Sequence, residues 1–117
     1  VSSKSIQAAI AATNLSVTQE VWLALAELIE GITEPADITA RLVTLGVTGK
    51  RVKACECPIA VFLRAQFLGW HFSLTSRLVT VWDRWNFHYR MELPPALQVW
   101  IAQFDNGLYP EVVAQSA

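Results

Sequence analysis

His71-Phe72-Ser73-Leu74-Thr75-Ser76-Arg77-Leu78-Val79-Thr80-Val81-Trp82-Asp83-Arg84-Trp85-Asn86-Phe87-His88-Tyr89-Arg90-Met91-Glu92-Leu93 is the stretch that decides the fold class. Its side chains alternate with period two, the signature of half-buried strands. Phe72 and Leu74 alternate with Ser73 and Thr75. Leu78, Thr80 and Trp82 alternate with Val79 and Val81. Phe87, Tyr89, Met91 and Leu93 alternate with His88, Arg90 and Glu92. The pattern predicts three short strands joined at Ser76-Arg77 and at Asp83–Asn86, an antiparallel meander. Leu93-Pro94-Pro95 ends the last strand, because proline cannot donate to a ladder. Phe87, Tyr89 and Met91 claim the inward positions, leaving His88, Arg90 and Glu92 outward. The direction of Trp82 stays open, since its strand is apolar on both faces.

Upstream the period lengthens to that of helices. Pro58 suits the first position of a helix running to about Leu68, with Ile59, Phe62, Leu63 and Phe67 on one face and Gly69 as terminator. Ser16-Val17-Thr18-Gln19 fits a capping box that opens a helix to about Glu30. Val21, Trp22, Leu25, Ala26, Leu28 and Ile29 form its wide apolar face, and Gly31 supplies a left-handed stop. Thr33-Glu34-Pro35 opens the next helix, where Ile38, Leu42 and Leu45 recur at helical spacing before Gly46. The short link makes these two a helical hairpin. Downstream, Leu97, Trp100, Ile101 and Phe104 mark a C-terminal helix stopped by Asn106-Gly107, and Tyr109-Pro110 begins a tail.

The expected architecture is α+β: a helical hairpin, a third helix, a three-stranded antiparallel β-meander and a C-terminal helix, with helices on one face of the sheet. Residues 1–15 are expected to be weakly ordered, 16–112 to form a single domain and 113–117 to form a tail.

The chain has 117 residues, enough to bury a core without metal or disulfide. Apolar residues make up 53% and charged residues 16%, and five tryptophans are too many for a centre of this size, so some should line a contact surface. The same excess favours a homo-oligomer. No apolar run reaches the roughly 18 residues that span a bilayer. Cys55 and Cys57, spaced C-x-C, make a poor disulfide pair. The expectation is a cytoplasmic chain with reduced thiols and no membrane partner.

Charge is uneven. Residues 41–90 gather Arg41, Lys50, Arg51, Lys53, Arg64, Arg77, Arg84 and Arg90 against Glu56 and Asp83, while both flanks are acidic. Such a layout suits nucleic acid or an acidic partner, and equally two halves that neutralise each other.

Catalytic patterns are incomplete. Gly49-Lys50 invites a phosphate-loop reading, but that loop needs glycine at 44 and Ser/Thr at 51, where the chain has Thr44 and Arg51. Cys57 sits at a helix start near Arg51 and Lys53, where a thiolate is favoured, but neither His71 nor His88 is placed beside it as a base. Cys55, Cys57, His71 and His88 count to four zinc ligands at spacings that fit no standard site. No cofactor, metal or catalytic residue is expected.

The candidate contact residues are Trp82, Trp85, His88, Arg90 and Arg84 on the sheet or its turn, with Arg51 and Lys53 from the basic segment. Aromatics mixed with arginines on an open sheet serve a protein hot spot or stack nucleic-acid bases. The consensus of RNA-recognition sheets is absent.

The order of motifs carries a resemblance. Gly46-Val47-Thr48-Gly49-Lys50-Arg51 is followed by Cys57-Pro58-Ile59-Ala60-x-Phe62-Leu63, then by the meander, Leu93-Pro94-Pro95-Ala96 and Phe104-Asp105-x-Gly107-x-Tyr109-Pro110. This resembles small uncharacterised proteins of high-GC actinobacteria and their phages over about residues 20–112. It departs at Ile59 and Phe62, where those carry leucine and tyrosine, and in its Trp-rich meander. The resemblance implies a source and an architecture, and no residue with a known role.

The leading expectation is a small intracellular bacterial or phage accessory protein that acts by protein–protein binding, including self-association. The second is a nucleic-acid-binding regulator using the basic 41–90 region. The third is a thiol-dependent enzyme at Cys57.

Overall fold

A computed structural model of the chain describes residues 14–83 and 88–114, and the side chains from Val17 onward within them. The elements are α1 (Asn14–Ile29), α2 (Pro35–Thr44), α3 (Pro58–Gln66), β1 (His71–Leu74), β2 (Leu78–Trp82), β3 (His88–Glu92) and α4 (Pro95–Asp105), followed by a 3₁₀ turn at Pro110–Val112. The fold is α+β, with the order of helices, meander and closing helix that the periodicities predict.

Helix α1 already includes Asn14, so Ser16 lies within its first turn and does not cap it. The fully buried stripe is Val17, Val21, Leu25 and Leu28, one narrow line at i, i+4, i+8 and i+11. A formed turn ahead of Val17 is what aims that line at the core. Trp22 and Leu23 fall off it and stand 43% and 51% exposed. The apolar face is thus narrower than the composition of the helix suggests.

Proline at the first position starts α2, and the Asp37 carboxylate reaches back to accept from the Glu34 and Thr33 N–H groups at 3.2 and 3.3 Å. These main-chain hydrogen bonds, the Glu34 bond foremost, hold the Asp37 carboxyl below its ordinary pKa. Ile38, Thr39 and Leu42 are buried, but Leu45 is 57% exposed. The helix ends at Thr44 with Leu45 as its C-cap, and Gly46 turns left-handed (φ +71°) and carries the chain away.

The sheet order is β1-β2-β3, all antiparallel. Phe72, Leu74, Val79 and Val81 are buried on one face, and Tyr89 and Met91 pack against the same core from β3. Helices α1 and α3 lie on that face, so the core is a sandwich of helices over a small sheet. Phe87 lies outside the described residues.

Leu97, Trp100, Ile101 and Phe104 are the buried face of α4, which packs on α2. The described residues beyond it, through Ala114, pack back on the domain. Val112 is fully buried, and Gly49 bridges Val113 in parallel fashion. Gly49 N–H donates to Val112 O at 2.9 Å, and Ala114 N–H donates to Gly49 O at 2.8 Å. Val112 supplies apolar area to the core, and the bridge at Gly49 satisfies main-chain groups on both sides of it.

Candidate functional site

Strand alternation divides the sheet into a covered and an open face. His71 and Ser73 of β1, Leu78, Thr80 and Trp82 of β2, and His88, Arg90 and Glu92 of β3 lie on the open one. Among the described residues no helix covers it. The register aligns His71, Trp82 and His88 in one row across the three strands. Their rings stack. The His71 and Trp82 centroids are 5.5 Å apart at 25°, and those of Trp82 and His88 are 5.6 Å apart at 9°. Cross-strand aromatic neighbours of this kind are worth about 0.2–1 kcal/mol each, and they hold the indole between the two imidazoles. The next row is Ser73, Thr80 and Arg90. The surface is a half-buried indole flanked by two imidazoles, with a guanidinium one step along.

Trp82, whose direction the sequence leaves open, thus joins His88 and Arg90 on the outer face. His71 belongs to the same row, and sequence reasoning left it out of the contact set. Its signal was present: His71 alternates with Phe72 and Leu74, and the β1–β2 register places it across from Trp82. Arg84 and Trp85 lie outside the described residues.

Arg51 and Lys53 are not on this surface. The Arg51 guanidinium donates to the carbonyls of Phe104 and Leu108 and lies 4.8 Å from the centre of the Phe104 ring. Val52 N–H donates to the Asp105 carboxylate at 2.9 Å. The basic turn is therefore a clamp on the C-terminal end of α4, where unsatisfied carbonyls and the helix dipole attract a cation. Lys53 is exposed on the same loop. Arg41 does the same job for α1, donating to the carbonyls of Glu27, Leu28 and Glu30, and Arg64 donates to Cys55 O. Lys50 pairs with Glu56 at 3.5 Å. Much of the positive charge of residues 41–90 is thus committed to the chain's own main chain.

Cys57 caps α3. Its Sγ accepts from Ala60 N–H at 3.5 Å, and the residue is 3% exposed. Burial pushes its pKa up to about 11, outweighing the Ala60 and Ile59 N–H groups that pull the other way. Cys55 is exposed, and both thiols are free. At pH 7.5 a thiol reagent should modify Cys55 quickly and Cys57 only as fast as the chain unfolds. Between pH 9 and 11 the unfolded thiol ionises while the native one does not, so native Cys57 binds the extra proton and stability falls as pH rises. The fall should approach about 2–3 kcal/mol. It should be missing from the melting profile of Cys57→Ala; equal slopes in the two proteins would refute it.

Hollows open among the described residues. One of about 440 Å³ lies between α1, α2 and α3, lined by Leu28, Ala40, Leu45 and Phe62. Another, about 660 Å³, runs between α1 and β3. Among the described residues no group of three or more His, Cys, Asp or Glu is gathered to hold a metal ion, and no helix is long and apolar enough to cross a membrane. Neither a protein-family model, a curated protein nor a solved structure matches this chain.

Proposed function

We propose that this chain is a small protein-binding module whose contact surface is the open face of its sheet, centred on Trp82. The observation that carries this reading is the His71–Trp82–His88 stack, a row of rigid aromatic side chains on a face that no helix covers among the described residues, while helices pack on the opposite face. Tryptophan at the middle of a patch, oriented by its neighbours, is the chemistry of a binding hot spot: large area, little side-chain entropy to lose, and a polar N–H. Thr80, Ser73 and Arg90 supply a polar margin beside it. Arg84 and Trp85 stay in the proposed set as its sequence neighbours. Protein is favoured over nucleic acid because Arg41, Arg51 and Arg64 turn guanidinium donors to main-chain carbonyls, which leaves fewer donors to grip phosphates. An intracellular accessory role in an actinobacterium or phage is part of the proposal, following the resemblance of the Cys57–Leu63 and Phe104–Pro110 motifs.

The test compares wild-type chain with Trp82→Ala as bait. Trp82→Ala should weaken capture of the partner by about 30-fold or more, the loss expected of a hot spot, and leave thermal unfolding cooperative. Undiminished capture by Trp82→Ala would overturn the reading. So would salt-sensitive binding of a single-stranded oligonucleotide by wild type that Trp82→Ala abolishes, which would move the surface to base stacking.

A further inference from the structure

The sheet has two edges, and they differ. In the β2–β3 ladder Leu93 N–H donates to Arg77 O, so residues 89, 91 and 93 face β2 and residues 88, 90 and 92 face outward. On the opposite edge the outward Leu74 N–H is taken by Ala54 O at 2.9 Å. On the β3 edge the main-chain groups of Arg90 and Glu92 meet no hydrogen-bonding partner among the described residues. An open edge of this kind is a template for another strand.

Beside that edge runs the 660 Å³ groove, with Trp22 and Leu23 of α1 on one wall and Arg90 and Met91 on the other. It accounts for the two large apolar side chains that α1 leaves exposed. A strand added to β3 would lay its inward side chains against Trp22 and Leu23.

Charge selects the strand. Arg90 and Glu92 carry opposite signs two residues apart on the outer face. An antiparallel copy of β3 can dock through its outward-facing groups in registers centred on residue 90 or residue 91. Centring on Arg90 sets guanidinium against guanidinium. Centring on Met91 sets Arg90 opposite Glu92 twice, once on each side of a two-fold axis, and brings the two Met91 side chains together in the grooves. Charges on an edge ordinarily discourage pairing; of these two registers, this pair opposes the one centred on Arg90 and favours the one centred on Met91.

We propose that β3 pairs antiparallel, through its outward groups at Arg90 and Glu92, with β3 of a second copy of this chain, centred on Met91, to make one continuous six-stranded sheet. The proposal rests on the protein-binding reading and names a second surface and its partner.

Sedimentation velocity of the full chain up to about 100 µM tests it, with thermal melts to verify folding. Wild type should be a dimer. Arg90→Glu and Glu92→Arg should each weaken self-association by about 10-fold or more, since like charges then face each other at both positions. Mixing the two variants should restore the dimer, because each strand now opposes its complement. The double variant Arg90→Glu/Glu92→Arg should also dimerise. A monomeric wild type, single variants that dimerise like wild type, or a mixture that stays monomeric would overturn the proposal. Wild type that stays monomeric until a foreign extended peptide is added would assign the edge to another protein. The open-face reading is separable: Trp82-dependent capture by a monomeric chain leaves that reading standing without the edge pairing, and charge-swapped dimers without such capture do the reverse.

Discussion

Gly49→Ala should cost at least about 3 kcal/mol of stability and is expected to leave little cooperatively folded chain. Gly49 is buried where the basic turn, the start of α3 and the C-terminal strand-like segment converge. A Cβ placed there would stand 2.5 Å from Glu56 O and 2.6 Å from Cys57 C, and nearer still to the Pro58 nitrogen. All three are main-chain atoms, and Pro58 holds the first turn of α3, so no side chain can swing aside. Relief would require moving the α3 start or breaking the hydrogen bonds from Gly49 N–H to Val112 and from Ala114 N–H to Gly49. Breaking those bonds would free the segment that carries Val112 into the core. Urea unfolding of wild type and Gly49→Ala measures the difference, and a loss under about 1 kcal/mol would show that the contact is not as tight as described.

Trp100→Ala should cost about 3–5 kcal/mol, the range for emptying an aromatic site in a closed core. Trp100 is 0% exposed. Its ring stacks on Phe104 at 5.1 Å and 7° and on Tyr109 at 5.6 Å and 3°, so it joins α4 to the segment that follows it. Its Nε1–H donates to the buried Thr39 hydroxyl at 3.0 Å, joining α4 to α2. Two further variants separate packing from hydrogen bonding. Trp100→Phe keeps much of the ring contact, leaves Thr39 without its donor and should cost about 1–3 kcal/mol. Adding Thr39→Val to Trp100→Phe should recover part of that loss, since neither polar group then remains buried. A double variant less stable than Trp100→Phe alone would mean the hydroxyl has another role.

Much of the fold was legible because its elements are short and locally punctuated. Pro58, Pro95 and the glycines at 31, 46 and 107 mark helix starts and stops through constraints that act within one or two residues. The alternation around Tyr89 and Met91 put His88 and Arg90 on the outer face correctly, since period two admits only two answers. The reading of α1 went wrong at Trp22 for a related reason. Its apolar positions span more than one stripe, and only contact with the sheet and α3 decides which stripe turns inward.

The candidate surface was legible only in part. Trp82 was recognised but not oriented, and His71 was passed over, because which residues share a row depends on the pairing register. Charge alone selects Arg51, and charge does not tell a cation that meets a ligand from one that meets a helix end. Arg51 is separated from its Phe104 and Leu108 carbonyls by more than fifty residues of chain.

Local physics in the sequence by itself determined the helices, the strands, their order and the inward side of the last strand. Backbone dihedral limits and side-chain periodicity act over a few residues and need no partner. Tertiary structure alone decided that Gly49 must be glycine, that Arg51 is a clamp, that His71 and His88 sandwich Trp82, and that Ala54 takes the outward Leu74 N–H of β1. Each of these depends on two segments distant in the chain arriving at the same place, and that is set by how the apolar faces of all the elements are buried together.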